Sequence, residues 1–162
     1  PATGVNLAGL EQEAMQEVGM HSAKAKYIGL GIVDIYVSSY DRTSNLALVS
    51  RVQQRLNAVR PLGLNLVSAA AEVVSLNLSV RLYTTGTQSS DQLISDAKEF
   101  LEAAVKELGV GESFNPYVVG GRLCSALSGV AGVEFLSPTG RQTPEDNQIY
   151  SPGTLTVTVS QQ

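Results

Sequence analysis

The chain has 162 residues, room for one domain or two small ones, and its 43% hydrophobic and 16% charged content describes a folded protein rather than a disordered tail. A formal net charge of −4, with the 11 Lys and Arg scattered, argues against a nucleic-acid binder, and no apolar run approaches the roughly 20 residues of a membrane span. A single Cys excludes an internal disulfide and fits a reducing compartment.

Pro1-Ala2-Thr3-Gly4 lacks the basic start and apolar stretch of a secretory leader, and a start without Met suggests a processed chain or a piece of a longer one. Pro1 to Leu10, small and Gly-rich, is expected to be irregular. Glu11 to Met20 reads as a short helix with Leu10, Ala14, Met15 and Val18 on one side, ended by Gly19. Ala23 to Ile28 is a strand and Gly29-Leu30-Gly31 a turn. In Ile32 to Val37, Val33, Ile35 and Val37 alternate with Asp34 and Tyr36, a second strand. Polar Ser38 to Asn45 is a loop in which Ser44 or Asn45 caps the next helix. That helix runs from Leu46 to Val59, with Leu48 or Val49, Val52, Leu56 and Val59 buried. Pro61 stops it, because the residue before a proline avoids the helical region, and Leu64 to Val67 reads as a short strand.

Glu72 to Gly111 is the most strongly patterned stretch. Val74, Leu76, Leu78, Val80 and Leu82 alternate with Ser75, Asn77, Ser79 and Arg81, the period of a strand wet on one face. Thr84 to Ser90 has turn chemistry, and Ser89 with Gln92 spells a capping box. From Asp91 to Leu108 the apolar residues Leu93, Ala97, Phe100, Ala104 and Leu108 make a helical stripe, with Ile94, Leu101 and Val105 beside it. Gly109 is expected as the left-handed stop.

Glu112 to Pro116 is a loop, and Val119 to Leu127 a helix with Leu123, Cys124 and Leu127 inward and a start weakened by Gly120 and Gly121. Val133 to Leu136 is a strand. Ser137 to Gly153, rich in Pro and Gly, is expected to be a long exposed connector, its arm from Pro138 to Gly153 ordered by neighbouring subunits. The last strand, Thr154 to Ser160, alternates Leu155, Val157 and Val159 with Thr154, Thr156 and Thr158. It carries no charge and none of the usual protection of an edge, so as an edge strand its Thr face is the candidate interface; the alternative is a central place in its own sheet, where Val-rich strands often lie. Ala14 to Ile35 and Ala126 to Val157 both read helix, Val, Gly, strand, loop, Gly, strand, which raises the option of two related small subdomains.

Residues for catalysis are scarce. His21 follows a helix end, Cys124 lies on an apolar helix face, and neither has a third orienting group. With no second His or Cys and no calcium-loop spacing, no metal site is expected. Asp96, Glu99, Glu102 and Glu107 are explained as a solvated face, with Glu102 and Lys106 an i,i+4 pair. Gly109-Val110-Gly111 follows a helix instead of opening one, the wrong order for a phosphate cradle. The expectation is a protein without enzymatic activity, metal or cofactor, working through its surfaces.

The order of the pieces is more specific. A strand, Ile32 to Val37, is followed by a helix ending in Val59-Arg60-Pro61-Leu62-Gly63. The long strand, the capped helix and Val118 to Leu127 follow. Val130-Ala131-Gly132-Val133 then leads into a strand, and Gly153-Thr154-Leu155-Thr156-Val157 closes the series. From Glu13 to Val159 this resembles the C-terminal half of the baseplate J-like family, wedge components of contractile phage tails and related injection machines. The Arg-Pro-x-Gly turn (Arg60, Pro61, Gly63) and the Gly-Val before a strand are its most specific points. Members of that family usually carry a larger N-terminal portion, so their N-terminal wedge contacts do not carry over. The turn also has a local account: Arg60 favours a helix end, Pro61 stops the helix and Gly63 allows a tight reversal.

The resemblance implies a structural subunit of a phage-like contractile tail baseplate, in the virion and assembled in the host cytoplasm. Its partners would be other baseplate or tail proteins and copies of itself, with no nucleic acid. A small ligand-binding or regulatory domain is the alternative. The expected fold is α+β, with mixed or antiparallel sheets packed against helices: an N-terminal subdomain over 1–62, the remnant of a larger protein, and a C-terminal domain over 63–162.

Overall fold

The structure, a computed structural model, describes residues 6–86 and 88–161. Among them are, in chain order, α1 (Leu7–Met15), β1 (Ser22–Gly29), β2 (Ile32–Ser38), α2 (Asn45–Val59), β3 (Asn65–Ala70), β4 (Glu72–Thr84), α3 (Ser90–Lys106), α4 (Pro116–Ala126), β5 (Val130–Ser137) and β6 (Gln148–Gln161). The strands form two three-stranded sheets, ordered β1-β2-β3 and β5-β4-β6, so the protein is α+β. Two compact units are interleaved in sequence. One takes in the chain up to Val74 with Gly109–Glu112 and Pro144–Ile149. The other takes in Ser75–Leu108, Ser113–Thr143 and the chain from Tyr150 on.

In the first unit, β1 and β2 form an antiparallel hairpin from Ser22↔Ser38 to Gly29↔Ile32. Helix α2 then carries the chain over to β3, which runs parallel to β2 from Ile32↔Asn65 to Val37↔Ala70. The alternation in β2 puts Val33, Ile35 and Val37 wholly inside, against Leu48, Val52 and Leu56 of α2 and Leu10 and Ala14 of α1. Burial of each large aliphatic side chain contributes about 1.5–3 kcal/mol. Helix α1 starts earlier than expected, at Leu7, because Asn6 Oδ1 accepts the Gly9 amide at its N-terminus; residues 1–5 lie outside the described part of the chain. It also ends earlier, at Met15, which leaves Met15 and Val18 exposed rather than on the buried side. Val59 is exposed as well, since the buried stripe of α2 stops at Leu56. Ser44 occupies the N-cap of α2 without a side-chain bond. Asn45 instead folds back into the loop, where its Oδ1 accepts from the Ser39 amide at 2.8 Å and from the Ser38 hydroxyl at 3.1 Å.

In the second unit, β4 buries Leu76, Leu78, Val80 and Leu82, as its alternation requires; Val74, at the end of the first unit's share of the strand, is only half-buried. Helix α3 buries Leu93, Ala97, Leu101, Ala104 and Val105. Phe100 falls to the side of that stripe and Leu108 lies past the end of the helix; both are half-buried. The capping box is not made: Ser89 has no side-chain cap bond, and Gln92 reaches forward to Asp96 at 2.8 Å. The left-handed residue after α3 is Gly111 (φ +75°), not Gly109. Helix α4 begins at Pro116, whose missing N–H suits a first helical position, and Asn115 caps it by accepting the Tyr117 amide. Gly120 and Gly121 therefore lie inside the helix and not at its start, and Cys124 and Leu127 are half-buried.

Strand β6 begins at Gln148, six positions before the expected Thr154, and absorbs Pro152 and Gly153. The connector shrinks to 138–147 and is tied down at both ends. Phe114 and Gln142 exchange backbone bonds of 2.8 and 2.9 Å, Pro144 is buried, and the Gly111 amide donates to Gln148 O at 2.7 Å. Strand β5 pairs antiparallel with β4. Strand β6 lies on the other side of β4 and runs the same way, with Asn147 O accepting the Glu72 amide and Asn77 Oδ1 the Thr154 amide. Here the internal echo fails: β1 and β2 pair directly, whereas β5 and β6 are separated by β4.

Candidate interaction surfaces

The residues with potential for chemistry are dispersed. His21 packs edge-on against Tyr40, with ring centroids 5.1 Å apart, and its backbone amide donates to Ser38 O. Cys124 is a free thiol, half-buried on α4. Among the described residues no group of three His, Cys, Asp or Glu could hold a metal. Glu102 of α3 pairs with Lys106 at 3.1 Å, Asp96 accepts from Gln92, and Glu107, just past the helix, pairs with Arg122 at 3.5 Å. Shifted ionisations belong to packing and loops. Burial raises the Tyr36 phenol, helped by its hydrogen bond to Asp34 and by the charges of Asp34 and Asp146, and burial also raises Tyr150. Asp41 is lowered by hydrogen bonds from Thr43 and Ser39, and burial lowers Arg42, whose guanidinium donates to Tyr40 O.

The sheet edges differ in how they are closed. On the β1 edge, Glu11 Oε2 of α1 accepts the Ala25 amide at 2.8 Å. On the β3 edge, the Gln53 side chain of α2 accepts the Ser68 amide and donates to Leu66 O, each at 2.8 Å. A side chain standing where a neighbouring strand would bond is a direct way of blunting an edge. Strand β6 is also an edge, but among the described residues no side chain bonds to its backbone from Leu155 to Gln161. Thr154, Thr156 and Thr158 are all exposed there, while Val157 is buried and Leu155 and Val159 half-buried beneath them. No charged residue occurs between Gln148 and Gln161. Thr154, Thr156 and Thr158 thus stand together on the exposed face of an edge strand.

The turn of Arg60, Pro61 and Gly63 forms as a helix stop. Arg60 leaves the helical region (φ −58°, ψ 121°), the Leu64 amide donates to Pro61 O at 3.2 Å, and Gly63 takes φ +85°. The sequence signal missed what this turn stands beside. It meets the hairpin loop Leu30–Gly31, the Asn65 amide donating to Gly31 O at 2.7 Å. Leu30 and Leu62, at the two tips, are fully exposed. With Arg60, Pro61 and Leu64 they border a depression of about 410 Å³.

A third surface is a mainly apolar groove of about 470 Å³ between α4 and β5, walled by Tyr117, Gly120, Cys124, Val133, Glu134 and Phe135. Arg81 and the Tyr83 hydroxyl both reach Glu134 Oε1, at 3.2 and 2.9 Å.

No protein-family model matches the chain, and no curated protein sequence matches it. Among solved structures it is similar to a chain in the cryo-EM structure of the anti-feeding prophage (AFP) baseplate, 6-fold symmetrised, with a TM-score of 0.65 and 11% sequence identity. The match covers 91% of this chain and 37% of that one, so the protein spans little more than a third of its structural neighbour. At that identity the likeness is one of fold alone.

Proposed function

We propose that the protein is a structural, non-enzymatic component of a phage-like or tail-like contractile baseplate. On this reading it resides in the particle and binds neighbouring baseplate proteins, copies of itself included, through surfaces rather than through a catalytic site. The observation that carries the reading is the likeness of fold to the anti-feeding prophage baseplate chain over 91% of the protein. The order of strands, helices and the Arg60-Pro61-Leu62-Gly63 turn supports kinship with the C-terminal half of the baseplate J-like family, and hence a role in joining wedge components. The open β6 edge is the contact surface. An extended segment of a neighbour can add to it by main-chain hydrogen bonds, with Thr154, Thr156 and Thr158 on the solvent face. Co-expression with proteins of a contractile-tail baseplate, followed by size-exclusion chromatography, tests this. A stable complex larger than the chain alone is expected; a chain that elutes alone in every combination rules the reading out.

The groove between α4 and β5 favours the second reading, a small ligand-binding domain, since apolar recesses of this size hold small molecules. Saturable protection of Cys124 from alkylation by a small apolar ligand would favour it.

A further inference from the structure

Leu30 stands in the wrong backbone region for its side chain. It is the first of two residues closing the β1–β2 hairpin, and both have positive φ, +57° at Leu30 and +75° at Gly31. Such a loop takes Asn, Asp or Gly at its first position, because a Cβ crowds the carbonyl there, and a side chain as large as Leu is disfavoured. Nothing in the fold recovers that cost, since Leu30 is 99% exposed. Leu62 is also fully exposed, at the tip of the adjoining turn. The backbone that carries both tips is held in place. The two turns press backbone to backbone, a Cβ on Gly31 falling 2.7 Å from Gly63 O, and the Tyr27 hydroxyl accepts the Gly31 amide at 3.2 Å. Beside them Arg60 has no ion pair or side-chain hydrogen bond among the described residues. Rigid apolar tips around an unpaired guanidinium form a docking knob, held in place before any partner arrives. Strain kept at an exposed position without a packing reason marks function more than fold.

The charge of the surface selects the occupant. A second copy meeting the same patch would set Arg60 against Arg60. A membrane surface would find a single cation on a chain of net charge −4, where anionic lipid needs a cluster of them. We infer that Leu30, Leu62 and Arg60 form a preorganised knob that enters an apolar recess on a different protein chain, with Arg60 paired to a carboxylate at the rim of that recess. The inference rests on the baseplate reading for where the partner is to be sought, and it concerns a surface separate from the β6 edge.

The test uses the full chain, co-expressed with proteins of a contractile-tail baseplate and carrying the photo-crosslinker p-benzoylphenylalanine in place of Leu62 or, separately, of Thr156. After irradiation, mass spectrometry maps the crosslinked residues. The expected result is a crosslink from position 62 to a different chain, within a few residues of both an Asp or Glu and large apolar side chains. Arg60→Glu should reduce its yield at least tenfold. Leu30→Asn should do the same while leaving the melting temperature unchanged or higher, because Asn suits the left-handed position. A purely structural turn predicts that Leu30→Asn leaves the crosslinking intact, which overturns the inference. So does a crosslink from position 62 only to another copy, or none. Crosslinking from position 156 without any from 62 leaves the baseplate reading standing and removes this one; silence at both positions removes both.

Discussion

The carbonyl oxygen of Gly63 lies 2.7 Å from where a Cβ on Gly31 would stand. Two turns separated by a whole helix and strand are thereby locked together, and both glycines have positive φ. Gly31→Ala must move backbone as well as adopt a strained conformation, whereas Gly63→Ala meets nothing within 4 Å and carries only the conformational penalty. Denaturant titration should show Gly63→Ala costing about 1–2 kcal/mol and Gly31→Ala clearly more. Equal losses would mean that the close approach is not maintained in solution.

Leu78 and Phe100 should separate sharply. Leu78 is 2% exposed on β4, so Leu78→Ala is expected to lose about 2–5 kcal/mol. Phe100 lies beside the buried stripe of α3, and Phe100→Ala should lose less than half as much. Thermal melts of the two variants measure the difference.

Thr156→Lys places a charge on the exposed face of the open β6 edge. Stability of the isolated chain should stay within about 0.5 kcal/mol of the parent, as for most surface changes. Co-elution with baseplate partners should weaken. A variant that co-elutes like the parent moves the contact surface away from β6.

The phenols of Tyr36 and Tyr150 are raised above 10.0 in the folded chain, first of all by burial. A raised folded value means that the neutral form is favoured by folding. The stabilisation is complete below pH 10 and is lost as pH rises through the folded values. Melting temperature should therefore fall above pH 10, and less steeply in Tyr36→Phe, which no longer ionises there. At neutral pH the same variant gives up the hydrogen bond to Asp34, a loss of about 1 kcal/mol.

Amide exchange in the isolated chain tests the connector. The Gln142 amide, bonded to Phe114 O, and the Gly111 amide, bonded to Gln148 O, should be protected without any partner. Rapid exchange at both would return 138–153 to the role of an arm ordered only by its neighbours.

Periodicity was enough to place β2, α2, β4 and α3, because each buries one face against a single neighbour layer and its apolar residues must recur at the period of the element. It also brought Thr154, Thr156 and Thr158 together on one face. What periodicity cannot encode is partnership across the chain. Phe100 fits the helical stripe as well as Leu101 does, and only packing decided which was buried. Ser89 and Gln92 have the spacing of a capping box, yet Gln92 bonds to Asp96, which offers it a charged acceptor one turn on. That β4 lies between β5 and β6, so that β6 is an edge, is a matter of strand order, to which alternation is blind. The same holds for the two closed edges, where Glu11 and Gln53 read in sequence as ordinary polar positions on helices and became strand caps only when those helices met the sheet. The pairing of Leu30 with Leu62 is of this kind too: local chemistry marks each turn separately, and the parallel register of β2 and β3 is what sets the two tips side by side.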